Sequence, residues 1–232
     1  MTPDELWLAA NWPFVLSCLP PNPARVVEVG CGPLGGFVPM LESAGYQATG
    51  VDPEAPAGPS YRQVEFERYE VPVPVDAVVA SVSLHHVADL DVVLGLFEAA
   101  LTQAGRVVIV EWARERFDEA TARWCFARLP EAGPDHGWLR RRQEEWQQSD
   151  QPWEDYLQSW SQAGGLHSGQ DILDALDARF DSEPVTYGPY YFPDLANTSE
   201  AAEQAAIDGG LIQANRIRYV GRRRSRISAP QA

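Results

Sequence analysis

Val26-Val27-Glu28-Val29, followed by Gly30-Cys31-Gly32-Pro33-Leu34-Gly35-Gly36, is the stretch on which the fold turns. The apolar run reads as a short strand and the glycines after it as a tight turn. Phe37-Val38-Pro39-Met40-Leu41-Glu42-Ser43-Ala44 then reads as a helix start. Gly45-Tyr46-Gln47-Ala48-Thr49-Gly50-Val51-Asp52 gives a second strand tipped by an acid, 20 residues after Gly32. A strand, a glycine turn, a helix and an acid-tipped strand are the parts of a nucleotide-cofactor site. The glycines let backbone approach a ligand, and the carboxylate accepts ribose hydroxyls.

Glu28 narrows the choice of ligand. A carboxylate inside the first strand, two residues before Gly30, gives a pyrophosphate nothing, whereas a sulfonium cofactor that carries an amino acid can use it. On Glu28-Val29-Gly30-Cys31-Gly32 the chain resembles the class I S-adenosylmethionine-dependent methyltransferases, whose first motif is Glu/Asp-x-Gly-x-Gly. The resemblance extends to Asp52 and to Val75-Asp76-Ala77-Val78-Val79-Ala80-Ser81-Val82-Ser83-Leu84-His85-His86-Val87, which looks like the fourth strand and following loop of the small-molecule subgroup. Gly105-Arg106-Val107-Val108-Ile109-Val110-Glu111 looks like the fifth strand. These segments stand in family order across residues 24–115.

The resemblance implies an α/β fold: a doubly wound, mostly parallel seven-stranded sheet whose last two strands form an antiparallel edge. It implies S-adenosylmethionine as cofactor. Gly30, Cys31 and Gly32 would present backbone to its amino-acid end, with Glu28 near the ammonium directly or through water. Asp52, followed by Pro53, would hold the ribose diol. The acid expected after the third strand, at the adenine amino group, is Glu67 beside Arg68, with Glu65 or Glu70 as substitutes. Ser81, Val82 and Ser83 would pass beneath the cofactor. Read without the resemblance, Glu28 pairs with Arg25 and Asp52 is a turn residue.

The acceptor side is read from the same sheet edge. An imidazole is a base near neutral pH, so His85 and His86 are the catalytic candidates. Adjacent side chains in a turn diverge, and His86 is the one favoured to face the methyl group; the alternative for both is packing and cofactor positioning. Glu111 and Trp112 end the fifth strand, with Glu111 either a polar group of the pocket or a cap for the next helix. Trp7 and Trp12 belong to an N-terminal lid or to simple packing. Tyr190 and Tyr191, after Gly188-Pro189, are placed to reach the acceptor.

Composition sets limits on partners. The 232 residues carry a formal charge of −15, and all 18 basic residues are arginine. Phosphate backbones reward clustered positive charge, so the expected partner is a small-molecule acceptor and not nucleic acid. The exceptions are Arg140-Arg141-Arg142 and the tail Arg222-Arg223-Arg224-Ser225-Arg226, read as a solvated end. The three cysteines, Cys18, Cys31 and Cys125, have no paired spacing, which suggests neither a disulfide framework nor a zinc site. No 18-residue apolar run and no leader pattern is visible, so a soluble, cytoplasmic protein without membrane contact is expected. Oligomeric state does not follow from the sequence.

The chain reads as one methyltransferase-type domain in five segments. Residues 1–23 form an amphipathic helix interrupted at Pro13, with Leu6, Trp7, Trp12, Phe14 and Leu16 apolar. Residues 24–111 form the cofactor core, with continuous apolar strands at 26–29, 77–81 and 107–110 and a third strand near 61–66. Residues 112–170 hold six of the eight tryptophans and read as a helical insertion over the sheet's C-terminal edge. Residues 171–221 give a helix at 171–180, strands at 185–192 and 216–221 and a helix at 199–208 between them; 222–232 are tail. His136 and His167 have no recognisable partners.

Two other classes stay open on the sequence. Gly30-x-Gly32-x-x-Gly35 fits a nicotinamide-binding turn, against which stand Glu28 and the lack of any lysine for a Tyr-x-x-x-Lys pair. A protein that binds S-adenosylmethionine without transferring its methyl group fits the same motifs.

Overall fold

Alternation along three strands builds two cores at once. In the computed structural model, which describes residues 1–131 and 137–224, β1 (Arg25–Val29), β4 (Val75–Ser81) and β5 (Leu101–Trp112) lie side by side and parallel. Successive side chains of a strand point to opposite faces. Val27, Val29, Val78, Ala80, Val107 and Ile109 therefore enter one core, while Val26, Ala77, Val79, Val108 and Val110 enter the other. Both faces are covered, as a parallel sheet requires.

The strand order is β3-β2-β1-β4-β5-β8-β6, with β2 at Gln47–Val51, β3 at Tyr61–Arg62, β6 at Phe180–Ser182 and β8 at Arg216–Arg223. β8 runs antiparallel between β5 and the edge. The short β7 (Thr186–Gly188) pairs with the same side of β8 as β6 does, so the edge is two short strands, and of the expected strand at 185–192 only Thr186–Gly188 forms. Helix α1 (Pro3–Cys18) and α2 (Val38–Ser43) cover one face. The other face is covered by α3 (Leu90–Ala100), with its stripe Leu90, Val93, Leu94 and Phe97, and by α7 (Gly169–Asp177).

Several boundaries differ from the sequence reading. Pro13 does not interrupt α1, which runs through it. The backbone bond that proline cannot make is outweighed by packing of Trp12 and Val15 into the second core, and the buried positions include Asn11 while Leu16 is exposed. The third strand is two residues long, and Phe66–Arg68 is a 3-10 turn. The helix expected at 171–180 starts earlier, under a reciprocal cap between Ser168 and Asp171, and gives way to β6 at Phe180. Arg222 and Arg223 belong to β8 and not to a tail, and Arg223 donates to the Leu101 carbonyl. His136 and Arg226 lie outside the described residues.

Helices α4 (Glu119–Phe126), α5 (Trp138–Ser149) and α6 (Trp153–Ala163) form the tryptophan-rich segment. Its core centres on Trp153, fully buried, with its indole N–H on the Phe117 carbonyl and its ring against Phe117, Phe126, Trp146 and Tyr156. α8 (Glu200–Asp208) holds the preceding loop through Glu203, whose carboxylate accepts the N–H groups of Tyr190, Tyr191 and Phe192. No helix among the described residues is long and apolar enough to cross a membrane.

Candidate active site

The C-terminal ends of β1, β2 and β4 meet at the glycine turn. Gly30 N–H donates to the Val51 carbonyl at 2.9 Å, joining the turn to β2. Its φ of +80° is one that side chains avoid, and a Cβ there would overlap Ser83. Ser83 in turn donates to the Val29 carbonyl at 3.0 Å. Gly32, at φ +61°, has open space where a Cβ would sit, and its N–H donates to Asp52 Oδ2 at 3.0 Å. Asp52 Oδ1 accepts Glu54 N–H at 2.7 Å. Each oxygen thus keeps a lone pair for a further donor.

Glu28 is buried and does not pair with Arg25, whose N–H goes to Asp76. Both its carboxylate oxygens face the Phe37 N–H, at 3.0 and 2.8 Å. Burial pushes its carboxyl from 4.5 up to about 8, against the opposing pull of the Phe37 and Val38 N–H groups. Cys31 is buried, and loss of solvent raises its thiol to about 12, so it is an unreactive filler of the turn.

From this turn a cleft of about 580 Å³ runs over the sheet edge. Glu28, Gly30, Cys31 and Gly32 form its floor with Ser81 and Val82, and Trp7, Trp112, Trp138, Trp160 and Tyr190 form its walls. Val82 is a β-branched residue at φ +52°, an uncommon conformation held by its N–H bond to the Val110 carbonyl at 2.8 Å. Trp7 donates to Ser81 Oγ at 3.0 Å and meets Tyr190 edge-on. α1 is thereby tied across the cleft mouth.

Both histidines line the cleft, and their rings touch at 4.1 Å between centroids instead of diverging, because a 3-10 turn over Leu84–His86 carries them. His85 Nδ1 stands 2.7 Å from Glu111 Oε1. Glu111 is fully buried, does not line the cleft, and also accepts the Leu84 and Trp112 N–H groups. His86 is exposed at the surface of the turn, and desolvation and the neighbouring His85 lower its pKa below the usual imidazole value.

Several of the expected site residues lie outside the cleft. Trp12 stacks on Phe37 in the second core and does not line the cleft. Tyr191 is fully buried with its hydroxyl accepting from Trp112 Nε1, leaving Tyr190 as the member of that pair that lines the cleft. Asp52, Pro53, Glu67 and Arg68 do not line the cleft; Glu67 and Arg68 are exposed, and Arg68 pairs with Glu65 at 3.2 Å. His167, without an expected partner, bonds the Val87 carbonyl at 2.9 Å. Asp194, which accepts from Trp138 Nε1 at 3.1 Å, and Asp4 line the cleft without any motif having marked them, and Arg141 of the basic cluster lines it too. Among the described residues no group of three His, Cys, Asp or Glu is arranged to hold a metal ion.

A family model described as a methyltransferase domain matches residues 8–161. The chain belongs to the methyltransferase domain family. Solved structures with the same fold include an S-adenosylmethionine-dependent methyltransferase from Mesorhizobium loti, 20% identical, covering 92% of this chain and 98% of that one with a TM-score of 0.56. A structure from Listeria monocytogenes described by the same activity is 17% identical, covers 95% and 100% of the two chains, and has a TM-score of 0.58. The geranyl diphosphate C-methyltransferase of Streptomyces coelicolor is 16% identical over 93% of this chain and 76% of its own, with a TM-score of 0.54. At these identities the likeness is one of fold. No curated protein matches the sequence.

Proposed function

We propose that this methyltransferase uses S-adenosylmethionine to methylate a small-molecule acceptor. The observation that carries the reading is continuity: the glycine cradle, the buried Glu28 and the aromatic-walled cleft share one cavity at the sheet's C-terminal edge, where open α/β sheets place their ligands. The residues present fit the cofactor. The space a Cβ would fill at Gly32 is empty, and Asp52 keeps acceptor capacity for two hydroxyls. The buried Glu28, short of compensating charge, would gain one from an ammonium.

In this reading Glu28 and the backbone of Gly30, Cys31 and Gly32 hold the amino-acid end. Asp52 and Pro53 hold the ribose, Glu67 and Arg68 flank the adenine, and Ser81, Val82 and Ser83 support the sulfur end. Bound S-adenosylmethionine supplies an already activated methyl group. What remains for the chain is to align the acceptor and keep water out. Trp7, Trp112 and Tyr190 do so from α1, β5 and the loop before α8. Residues 24–111 are the cofactor unit, and the helical segment 112–170 is the acceptor cap, lending Trp112, Trp138 and Trp160.

The test is transfer of labelled methyl from S-adenosylmethionine to small aromatic acceptors, with RNA and DNA as comparators. Label on a small acceptor supports the reading. Label on nucleic acid alone overturns the acceptor class.

A further inference from the structure

His85 is fastened on one side and bare on the other. Glu111 Oε1 faces its Nδ1 at 2.7 Å while already accepting the Trp112 N–H at 2.7 Å, and Oε2 accepts the Leu84 N–H at 2.9 Å. An ionised carboxylate is an acceptor only, so the hydrogen it shares with the ring belongs to Nδ1 and the lone pair to Nε2. That nitrogen makes no hydrogen bond among the described residues, yet its residue, 5% exposed, lines the cleft. The turn itself cannot swing easily: Leu84 N–H is held by Glu111, the His85 carbonyl accepts His167 N–H at 3.1 Å, and Trp112 meets the ring edge-on.

We propose that His85, oriented by Glu111, is the base that removes a proton from the acceptor, and that the acceptor presents a hydroxyl on an aromatic ring. His85 is then the catalytic residue and Glu111 a positioning residue. The ring of the acceptor matches the walls Trp7, Trp112, Trp138, Trp160 and Tyr190, whose faces and edges favour flat aromatic partners. The inference rests on the methyl-transfer reading. In the step, the acceptor oxygen bonds to the methyl carbon as the carbon–sulfur bond breaks and its electron pair stays on sulfur. The hydroxyl proton moves to His85 Nε2, giving an imidazolium beside the Glu111 carboxylate, and leaves later to water. Among the described residues His86 has no carboxylate on its ring in the manner of Glu111 on His85, so its tautomer is not fixed in the same way. The other titratable or charged groups around the cavity are Glu28 from β1, Cys31 from the glycine turn, Asp4 from α1, Arg141 from α5, and Tyr190 and Asp194 from the loop before α8.

Nitrogen NMR of the full chain with labelled histidine tests the pair without any acceptor. His85→Gln assigns the signals, and the expected result is a neutral His85 protonated at Nδ1 and bare at Nε2. Glu111→Gln, whose amide can donate as well as accept, should let the Nε2–H tautomer appear beside the Nδ1–H one. An Nε2–H tautomer in the unmodified protein overturns the proposal even if Glu111→Gln fails to fold. The acceptor class is tested with S-adenosylmethionine and two probes, 1-naphthol and 4-nitrophenol, in mildly alkaline buffer where only the second is largely ionised. His85→Gln should cut kcat on 1-naphthol about 10²- to 10⁴-fold, with KM little changed, and reduce 4-nitrophenol turnover far less. Equal losses on both overturn the base, and methylation of neither overturns the aromatic hydroxyl. Calorimetry with S-adenosylhomocysteine on the same samples separates the failures: no binding sinks the methyl-transfer reading, whereas binding with the wrong tautomer sinks only this proposal.

Discussion

Glu28→Gln should stabilise the protein at alkaline pH while weakening it as an enzyme. Burial raises the Glu28 carboxyl from 4.5 to about 8, so between those values the folded state holds a proton that the unfolded state has released. Stability must then fall as pH rises through that window. At about 1.36 kcal/mol per pH unit, the interval from 4.5 to about 8 sets an upper value on the order of 5 kcal/mol. Glutamine keeps an acceptor for the Phe37 N–H and removes the charge. Scanning calorimetry of both proteins at acid and alkaline pH checks this, since the pH dependence from the remaining charges cancels in the difference. Near pH 5, where Glu28 is neutral in the fold, the two should melt within a few degrees of each other. Near pH 9 the variant should melt higher, by about 2–4 °C for each kcal/mol gained in a chain of this size. The same substitution should weaken S-adenosylhomocysteine binding, because the ammonium loses its counter-charge. A stability difference that is the same at both pH values would refute the reasoning.

Other substitutions probe other parts of the molecule. Asp52→Ala removes the acceptor of two N–H groups, those of Gly32 and Glu54, and should weaken S-adenosylhomocysteine binding at least tenfold by calorimetry, about 1.4 kcal/mol or more. Gly30→Ala forces a Cβ onto Ser83 at a positive φ and should cost more than about 1 kcal/mol in urea unfolding; an unchanged midpoint would contradict the turn geometry. Trp153→Ala empties the centre of the helical segment and should destabilise by about 3–5 kcal/mol, read from the same urea curves.

Legibility in the sequence followed burial. β1, β4 and β5 are buried on both faces, so their unbroken apolar runs could mean little else. β3 has two residues and half-exposed packing, and Val64 in the bend after it and Phe66 at the start of a 3-10 turn have an apolar spacing that imitates a strand. Pro13 misled because proline's local cost is visible in a sequence and the tertiary packing that offsets it is not. At the site, the glycine turn was readable from backbone demands that only glycine meets. The side chains were harder. That His85 and His86 both line the cleft, and that Tyr190 does while Tyr191 does not, depends on a 3-10 turn and on the carboxylate of Glu203, neither of which leaves a periodic signal. Glu111 could be placed at the sheet edge, but its inward direction follows from the Leu84 and Trp112 N–H groups it satisfies. Asp194 had no signal at all, since only the fold brings Trp138 beside it.

The most direct test of the cofactor assignment is calorimetric titration of the purified protein with S-adenosylhomocysteine, with S-adenosylmethionine and NADH as comparators. Micromolar binding of both sulfur compounds and none of NADH is the expected result. Silence from both, with or without NADH binding, would mean that Glu28 and the glycine turn serve some other ligand.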